Sequence, residues 1–169
     1  MNPRLLNLAG FCACAGLLGF AYYAQYQLHL VPCPLCILQR VGVFLIGVVF
    51  LIATVHGARS ASVAGRIYAA AIALAALATV GVAGWQLYIQ SLPPGSIPDC
   101  GAPLEVMLKF MSPGEVLRKV LAGSGECAKV DWRLLGLAMP AWVLMAAAVL
   151  GSFGVRVNSR RNAQAVRFR

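Results

Sequence analysis

Four stretches of this chain stay apolar for longer than an ordinary soluble helix requires. They run from about Leu5 to Leu28, Ile37 to Val55, Ile67 to Ile89 and Leu134 to Val155. About 20 apolar residues carry a helix across roughly 30 Å of hydrocarbon. Within the bilayer a helix satisfies its own backbone N–H and C=O groups. The pattern therefore predicts an all-α membrane protein, a four-transmembrane-helix bundle with one short loop (29–36), one long loop (90–133) and a basic tail (156–169). Composition agrees, with 60% hydrophobic residues and only 11% charged, where a soluble domain carries about a quarter charged.

The charges orient the bundle. Arg4, Arg59, Arg66, Arg156, Arg160, Arg161, Arg167 and Arg169 lie at the N-terminus, the 56–66 connection and the C-terminal tail. All five acids, Asp99, Glu105, Glu115, Glu126 and Asp131, lie in the long loop. The positive-inside rule then places both termini in the cytoplasm and the 29–36 and 90–133 loops outside. Tyr22, Tyr23, Tyr26, Trp85, Tyr88 and Trp132 gather near the outer interface, as an aromatic belt. The net charge of +9 is scattered over the flanks of apolar runs with no nucleic-acid-binding motif around it. The tail is expected to meet anionic lipid. The first span follows Arg4 as a signal peptide would, but it is long and lacks a small-x-small cleavage site, so it reads as a membrane helix.

Six cysteines are present. Cys12 and Cys14 lie inside the first span, where a thiol packs as a small hydrophobe. Cys33, Cys36, Cys100 and Cys127 all fall in the outer loops, an oxidising location in a bacterium. Two local pairs, 33–36 and 100–127, are the simplest of three pairings. A 100–127 bridge could be a plain staple. A C-x-x-C bridge closes too small a loop to remove much unfolded-state entropy, and such pairs occur mostly where redox chemistry is wanted. Zinc is disfavoured because Cys100 and Cys127 do not form a second knuckle; no metal is expected.

Pro34 disfavours helix at Cys33, so the second helix is expected to begin near Leu35 or Cys36. Cys36 then sits at a helix N-terminus, where the partial positive charge favours a thiolate. Arg40 follows one turn later on the same face. An arginine at the edge of hydrocarbon is costly, and such charges mark function. A thiol so placed suits a lipid-soluble two-electron acceptor such as a quinone, with Arg40 stabilising charge that develops on it.

The long loop opens with the proline-rich L-P-P-G-S-I-P-D-C, so Cys100 is expected to be exposed. Leu104, Met107, Leu108 and Met111 recur at helical spacing and predict a short amphipathic helix. Ser112-Pro113-Gly114-Glu115 reads as a second helix start with a capping box. Val116, Leu117, Val120 and Leu121 give that helix an apolar face, and Gly123-Ser124-Gly125 ends it. Alanines crowd the third span and invite close helix approach; Pro140 is expected to kink the fourth helix.

C-P-L-C-I-L-Q-R (33–40), W-Q-L-Y-I-Q-S-L-P-P-G-S-I-P-D-C-G (85–101) and the single Cys127 before the fourth span together resemble the disulfide bond formation protein B (DsbB) family. The resemblance implies a bacterial inner-membrane thiol oxidase that reoxidises a DsbA-like periplasmic dithiol and reduces quinone, ubiquinone or menaquinone. It implies that Cys100 forms the mixed disulfide with DsbA, that Cys127 exchanges with Cys33, and that Cys36 meets the quinone beside Arg40. Many members carry a histidine where this chain has Gln86; glutamine donates a hydrogen bond but carries no proton at neutral pH. His29 lies in the short outer loop, and His56 on the cytoplasmic side. A vitamin K epoxide reductase-like enzyme also combines four helices with two cysteine pairs, but in the reverse order. A membrane scaffold with disulfide-stapled loops is the non-enzymatic alternative.

Overall fold

A computed structural model describes residues 2–57, 62–93, 109–123, 125–128, 130 and 132–159. Four long helices dominate it: α1 (Pro3–Gln27), α2 (Pro34–His56), α3 (Val63–Ser91) and α6 (Met139–Ser159). Each is long and apolar enough to cross a membrane. Their outward faces are apolar and uncovered, with Phe44, Leu74, Leu77 and Val149 each more than half exposed, as lipid-facing positions require. The predicted multi-pass helical architecture is what is found.

The caps explain where the helices begin. Asn2 Oδ1 accepts from the Arg4 N–H at 3.1 Å, with Pro3 as the first helical residue of α1. The Ser62 hydroxyl accepts from the Gly65 N–H at 3.1 Å at the head of α3. α2 begins at Pro34, one to two residues earlier than expected. Pro34 lacks only an N–H that the first turn leaves unbonded anyway, and Cys33 serves as the N-cap, its sulfur accepting from the Cys36 N–H at 3.4 Å. α2 ends at Gly57, whose φ of +58° suits glycine.

The fourth span departs further. Residues from Leu134 were expected to be helical, but Arg133–Leu134 (β1) pairs antiparallel with Leu137–Ala138 (β2). The turn between them holds Leu135 at φ +52° and Gly136 at +80°, the two successive positive φ values of a tight hairpin. α6 therefore starts at Met139. Pro140 is its second residue, where proline fits the first turn, so it starts the helix and does not kink it.

Small residues set the helix spacing, as the alanine-rich third span predicts. A Cβ at Gly151 would stand 2.6 Å from Ala76 Cβ, and one at Gly154 would stand 2.7 Å from Ile72 Cγ2. The Phe50 ring lies against Gly10, where a Cβ would come within 2.8 Å. α1 packs on α2, α2 on α3, and α3 most extensively on α6, whereas α1 and α6 meet far less. They meet near the end remote from Cys33, where buried Asn7 and Asn158 exchange amide hydrogen bonds of 3.2 and 3.0 Å. Cys14 is buried in this close-packed half, while Cys12 is exposed on the helix surface.

Between α3 and α6 lie α4 (Pro113–Ala122), the short α5 (Gly125–Ala128) and the hairpin. The predicted capping box is present: the Glu115 carboxylate accepts from the Ser112 N–H at 3.1 Å and from its hydroxyl at 2.9 Å. These bonds hold the Glu115 carboxyl below its usual range. Gly123 ends α4 at φ +82°. Val116 and Val120 are buried, but Leu121 is 41% exposed, so the apolar face is narrower than the pattern suggested. Leu121 instead contributes its carbonyl, which accepts from the Trp85 indole N–H at 2.7 Å and ties α4 to α3. The expected helix over Leu104–Met111, the proline-rich stretch and Cys100 lie within or largely within 94–108, outside the described residues. The tail beyond Ser159 is outside them too.

Candidate functional site

Three of the four cysteines beyond the first span converge. Cys33 caps α2, Cys36 lies three residues into that helix, and Cys127 comes from α5. The Cys33 and Cys36 sulfurs are 3.0 Å apart. Cys127 lies in the same buried cluster and bonds the Cys33 thiol. That bond, then the one to Cys36, then burial, push the Cys33 thiol above its ordinary range. Cys33 is thus the shared neighbour of the other two sulfurs. Leu35, Ile89, Val116 and Val120 enclose Cys33 and Cys127 in a second apolar core. Here the burial of α4 has its use: its two valines hold α5, and with it Cys127, against the head of α2. Cys100 lies outside the described residues, so its position relative to Cys127 is not part of this geometry.

Gln86 enters from α3 and is almost wholly buried, 2% exposed. Its Nε2 donates to Cys33 Sγ at 3.3 Å and to Cys36 Sγ at 3.4 Å. Its Oε1 accepts from Gln39 Nε2 at 2.7 Å. The donor at the sulfurs is therefore the Gln86 amide. Arg40, one turn beyond Cys36, turns toward α1. There it donates to the Gln25 side chain and, at 3.2 Å, to the Ala21 carbonyl, with its guanidinium 5.3 Å from the Tyr22 ring centre. A planar guanidinium can meet a carbonyl fork and an aromatic face together, which a lysine cannot.

Cys33, Cys36, Gln39, Arg40, Gln25 and Gln86 border one cavity of about 800 Å³ that α1 and α6 also line. Cys33, Cys36, Arg40 and Gln86 stand at its polar end, while Phe20, Trp142 and other apolar side chains line the rest. Gln90, one turn beyond Gln86, also lines it, and its buried Oε1 has no hydrogen-bond partner in the described structure. His29 is exposed at φ +52°, and His56 pairs with Tyr68 at the other end of the bundle.

The sequence that builds this site has relatives among known proteins. Residues 3–156 match the family described as disulfide bond formation protein DsbB. The chain belongs to the DsbB family. A disulfide bond formation protein B from Chromobacterium violaceum is 46% identical over 147 residues, 85% of this chain and 87% of the relative. One from Methylococcus capsulatus is 43% identical over 154 residues, 91% of this chain and 93% of the relative. One from Xanthomonas oryzae pv. oryzae is 43% identical over 150 residues, 86% and 87% respectively. A DsbB-family membrane protein with a disulfide-forming redox role is thus the coarse identity.

Sequence reasoning singled out Cys33, Cys36, Arg40, Gln86 and Cys127, and the fold brings all five to one end of the bundle. It passed over Gln39, Gln25 and Gln90. Their signal was available, since an amide inside an apolar span needs a partner. Which amide faces which sulfur required the packing of α2 on α3.

Proposed function

We propose that this protein oxidises a DsbA-like periplasmic dithiol by disulfide exchange and passes the electrons to membrane quinone, from the bacterial inner membrane with both termini cytoplasmic. The observation that carries this reading is the position of Cys33. It touches both Cys127 and Cys36 at the polar end of a large apolar cavity.

The exchange balances as follows. A thiolate of the partner attacks Cys100 of a Cys100–Cys127 disulfide; that bond breaks and its electron pair stays on Cys127. The partner's second thiolate then attacks the sulfur now joined to Cys100, and the partner leaves oxidised. Cys127 attacks Cys33 of a Cys33–Cys36 disulfide, and the broken bond leaves its electron pair on Cys36. Cys100 then displaces Cys33 from Cys127, which restores the 100–127 disulfide and leaves Cys33 and Cys36 as the reduced pair.

The residues present fit a quinone. A ligand pocket of several hundred Å³, mostly apolar with a few placed polar groups, is the usual form. Here the long apolar part suits a prenyl chain. Arg40 and Gln86 offer donors, and Gln90 offers a buried acceptor with no donor among the described residues. When bound, quinone supplies an acceptor for the two electrons and two protons released as Cys33 and Cys36 reform their disulfide. The chain's own part is to bind the ring beside Cys36, hold a cation near it, and exclude water with apolar side chains.

The test is quinone reduction by the purified protein with a reduced DsbA-type dithiol as electron source. The parent should turn over with ubiquinone or menaquinone, and Cys36→Ser and Cys100→Ser should not. A parent that reduces neither quinone, with both disulfides inert to thiols, would remove this reading and leave a stapled scaffold.

A further inference from the structure

The Gln86 amide can aim either end at the sulfurs. With its NH2 toward them it donates to the sulfurs; with its carbonyl toward them it offers only an acceptor. A sulfur anion in an apolar site needs donors, because an unsolvated charge there is costly. Something must select the orientation, and the neighbour at the carbonyl is Gln39. It is 3% exposed, projects from α2 one residue before Arg40, and gives Gln86 Oε1 a 2.7 Å hydrogen bond. Turning the Gln86 amide over would set its NH2 against the Gln39 NH2, donor against donor. In the observed orientation Gln86 Nε2 lies 3.3 Å from Cys33 Sγ and 3.4 Å from Cys36 Sγ, one N–H shared between two sulfurs 3.0 Å apart, while Oε1 accepts from the Cys36 thiol at 3.7 Å.

We propose that Gln39 is a positioning residue: its hydrogen bond to Gln86 Oε1 keeps the Gln86 NH2 turned toward the Cys33 and Cys36 sulfurs, so that the amide stabilises the thiolate left on Cys36 when the Cys33–Cys36 bond opens. This rests on the proposed relay only in taking that bond to open during turnover. When a thiolate attacks Cys33, the S–S electron pair remains on Cys36 Sγ, and the Gln86 N–H meets it there without giving up its proton. Neither amide titrates, so the donor persists across the physiological pH range. The ionisable groups facing this pair are Cys33, Cys36 and Arg40 of α2 and Cys127 of α5. α1 and α3 present Gln25, Gln86 and Gln90, and among the described cavity-lining residues Arg40 is the one charged side chain.

The thiols themselves give the readout. Full-length protein in lipid nanodiscs is reduced, and alkylation of Cys36 by iodoacetamide is followed by peptide mass spectrometry from pH 5 to 9. Gln39→Met keeps the length of the side chain but removes the donor, and should slow alkylation about tenfold at pH 7, the worth of a hydrogen bond to a charged group. Gln39→Glu separates orientation from packing. A protonated carboxyl still donates to Gln86 Oε1, whereas a carboxylate only accepts and draws the Gln86 NH2 away from the sulfurs. The Gln39→Glu rate relative to parent should therefore fall as pH rises. A Gln39→Met rate within twofold of parent, or a Gln39→Glu ratio flat with pH, would overturn the proposal. If Gln39→Met fails to fold, the slope for Gln39→Glu decides alone. Failure of quinone reduction in the parent would instead remove the relay reading and leave these alkylation rates standing.

Discussion

The two ends of the bundle are built on opposite rules. At the end remote from Cys33, α1, α2, α3 and α6 approach until glycines touch side chains: Gly10 on Phe50, Gly151 on Ala76, Gly154 on Ile72. Asn7 and Asn158 close that end with a reciprocal amide pair. At the cysteine end the same α1 and α6 line a cavity of about 800 Å³, and the polar groups serve sulfur and Arg40. In lipid, helices gain little hydrophobic drive to associate, so side-chain size and polar pairing set their spacing. The contrast shows how one set of four helices supports both a close-packed base, clasped by an asparagine pair, and an open pocket whose glutamines face the sulfurs.

Glycine substitutions should separate the ends most sharply. Gly154→Leu drives a side chain into Ile72 and Phe50 and should lower stability by about 3 kcal/mol, the upper range for overpacking, read as an earlier thermal midpoint in detergent. Gly16 lines the cavity and has nothing within 4 Å of where its Cβ would be. Gly16→Leu should change stability by less than about 0.5 kcal/mol yet raise the quinone KM in the reduction assay. Equal stability losses at the two positions would erase the contrast.

A middling effect is expected at the asparagine clasp. Asn158→Leu leaves the Asn7 amide unpaired and should cost about 1 kcal/mol, since interhelical hydrogen bonds in membranes are modest. Adding Asn7→Leu should recover part of that loss, because no buried amide is then left without its partner. A double variant less stable than the sum of the two single losses would mean that the pair does more than satisfy itself.

The smallest effect belongs to the capping box. The Glu115 carboxyl is depressed by its bonds to Ser112, so its contribution is present above the ordinary carboxylate range, about 4.3, and is lost as pH falls through the lower folded value. Hydrogen-exchange protection over α4, taken relative to the intrinsic rate at each pH, should fall on acidification in the parent. In Glu115→Gln that acid dependence should be missing. Retained acid dependence in the variant would point to another carboxylate in the loop.

Much of this was legible in the residues. Apolar run length marks the spans because bilayer thickness is a fixed requirement, and the C-P-L-C-I-L-Q-R motif marks Cys33, Cys36 and Arg40 because prolines, thiols and a membrane arginine seldom coincide by chance. The Ser112–Glu115 box was readable because capping is local. Non-local preferences were not readable. Leu134–Ala138 has the hydropathy of a span, but two positive φ values and Pro140 give it a hairpin first. Leu121 has the spacing of a core residue, but its helix faces the bundle with Val116 and Val120.

What the sequence determined by itself is therefore everything that depends on one segment: which stretches cross the membrane, where helices are capped, and which thiols and cation stand near a membrane surface. What only the tertiary structure decided is which groups meet across segments. The packing of α2 on α3 puts the Gln39–Gln86 amides at the two sulfurs, the burial of Val116 and Val120 carries Cys127 to Cys33, and the α1 face draws Arg40 toward Gln25. The physical reason is range: hydropathy and caps act within a few residues, whereas hydrogen-bond orientation and cavity shape arise only when side chains far apart in sequence compete for the same buried space.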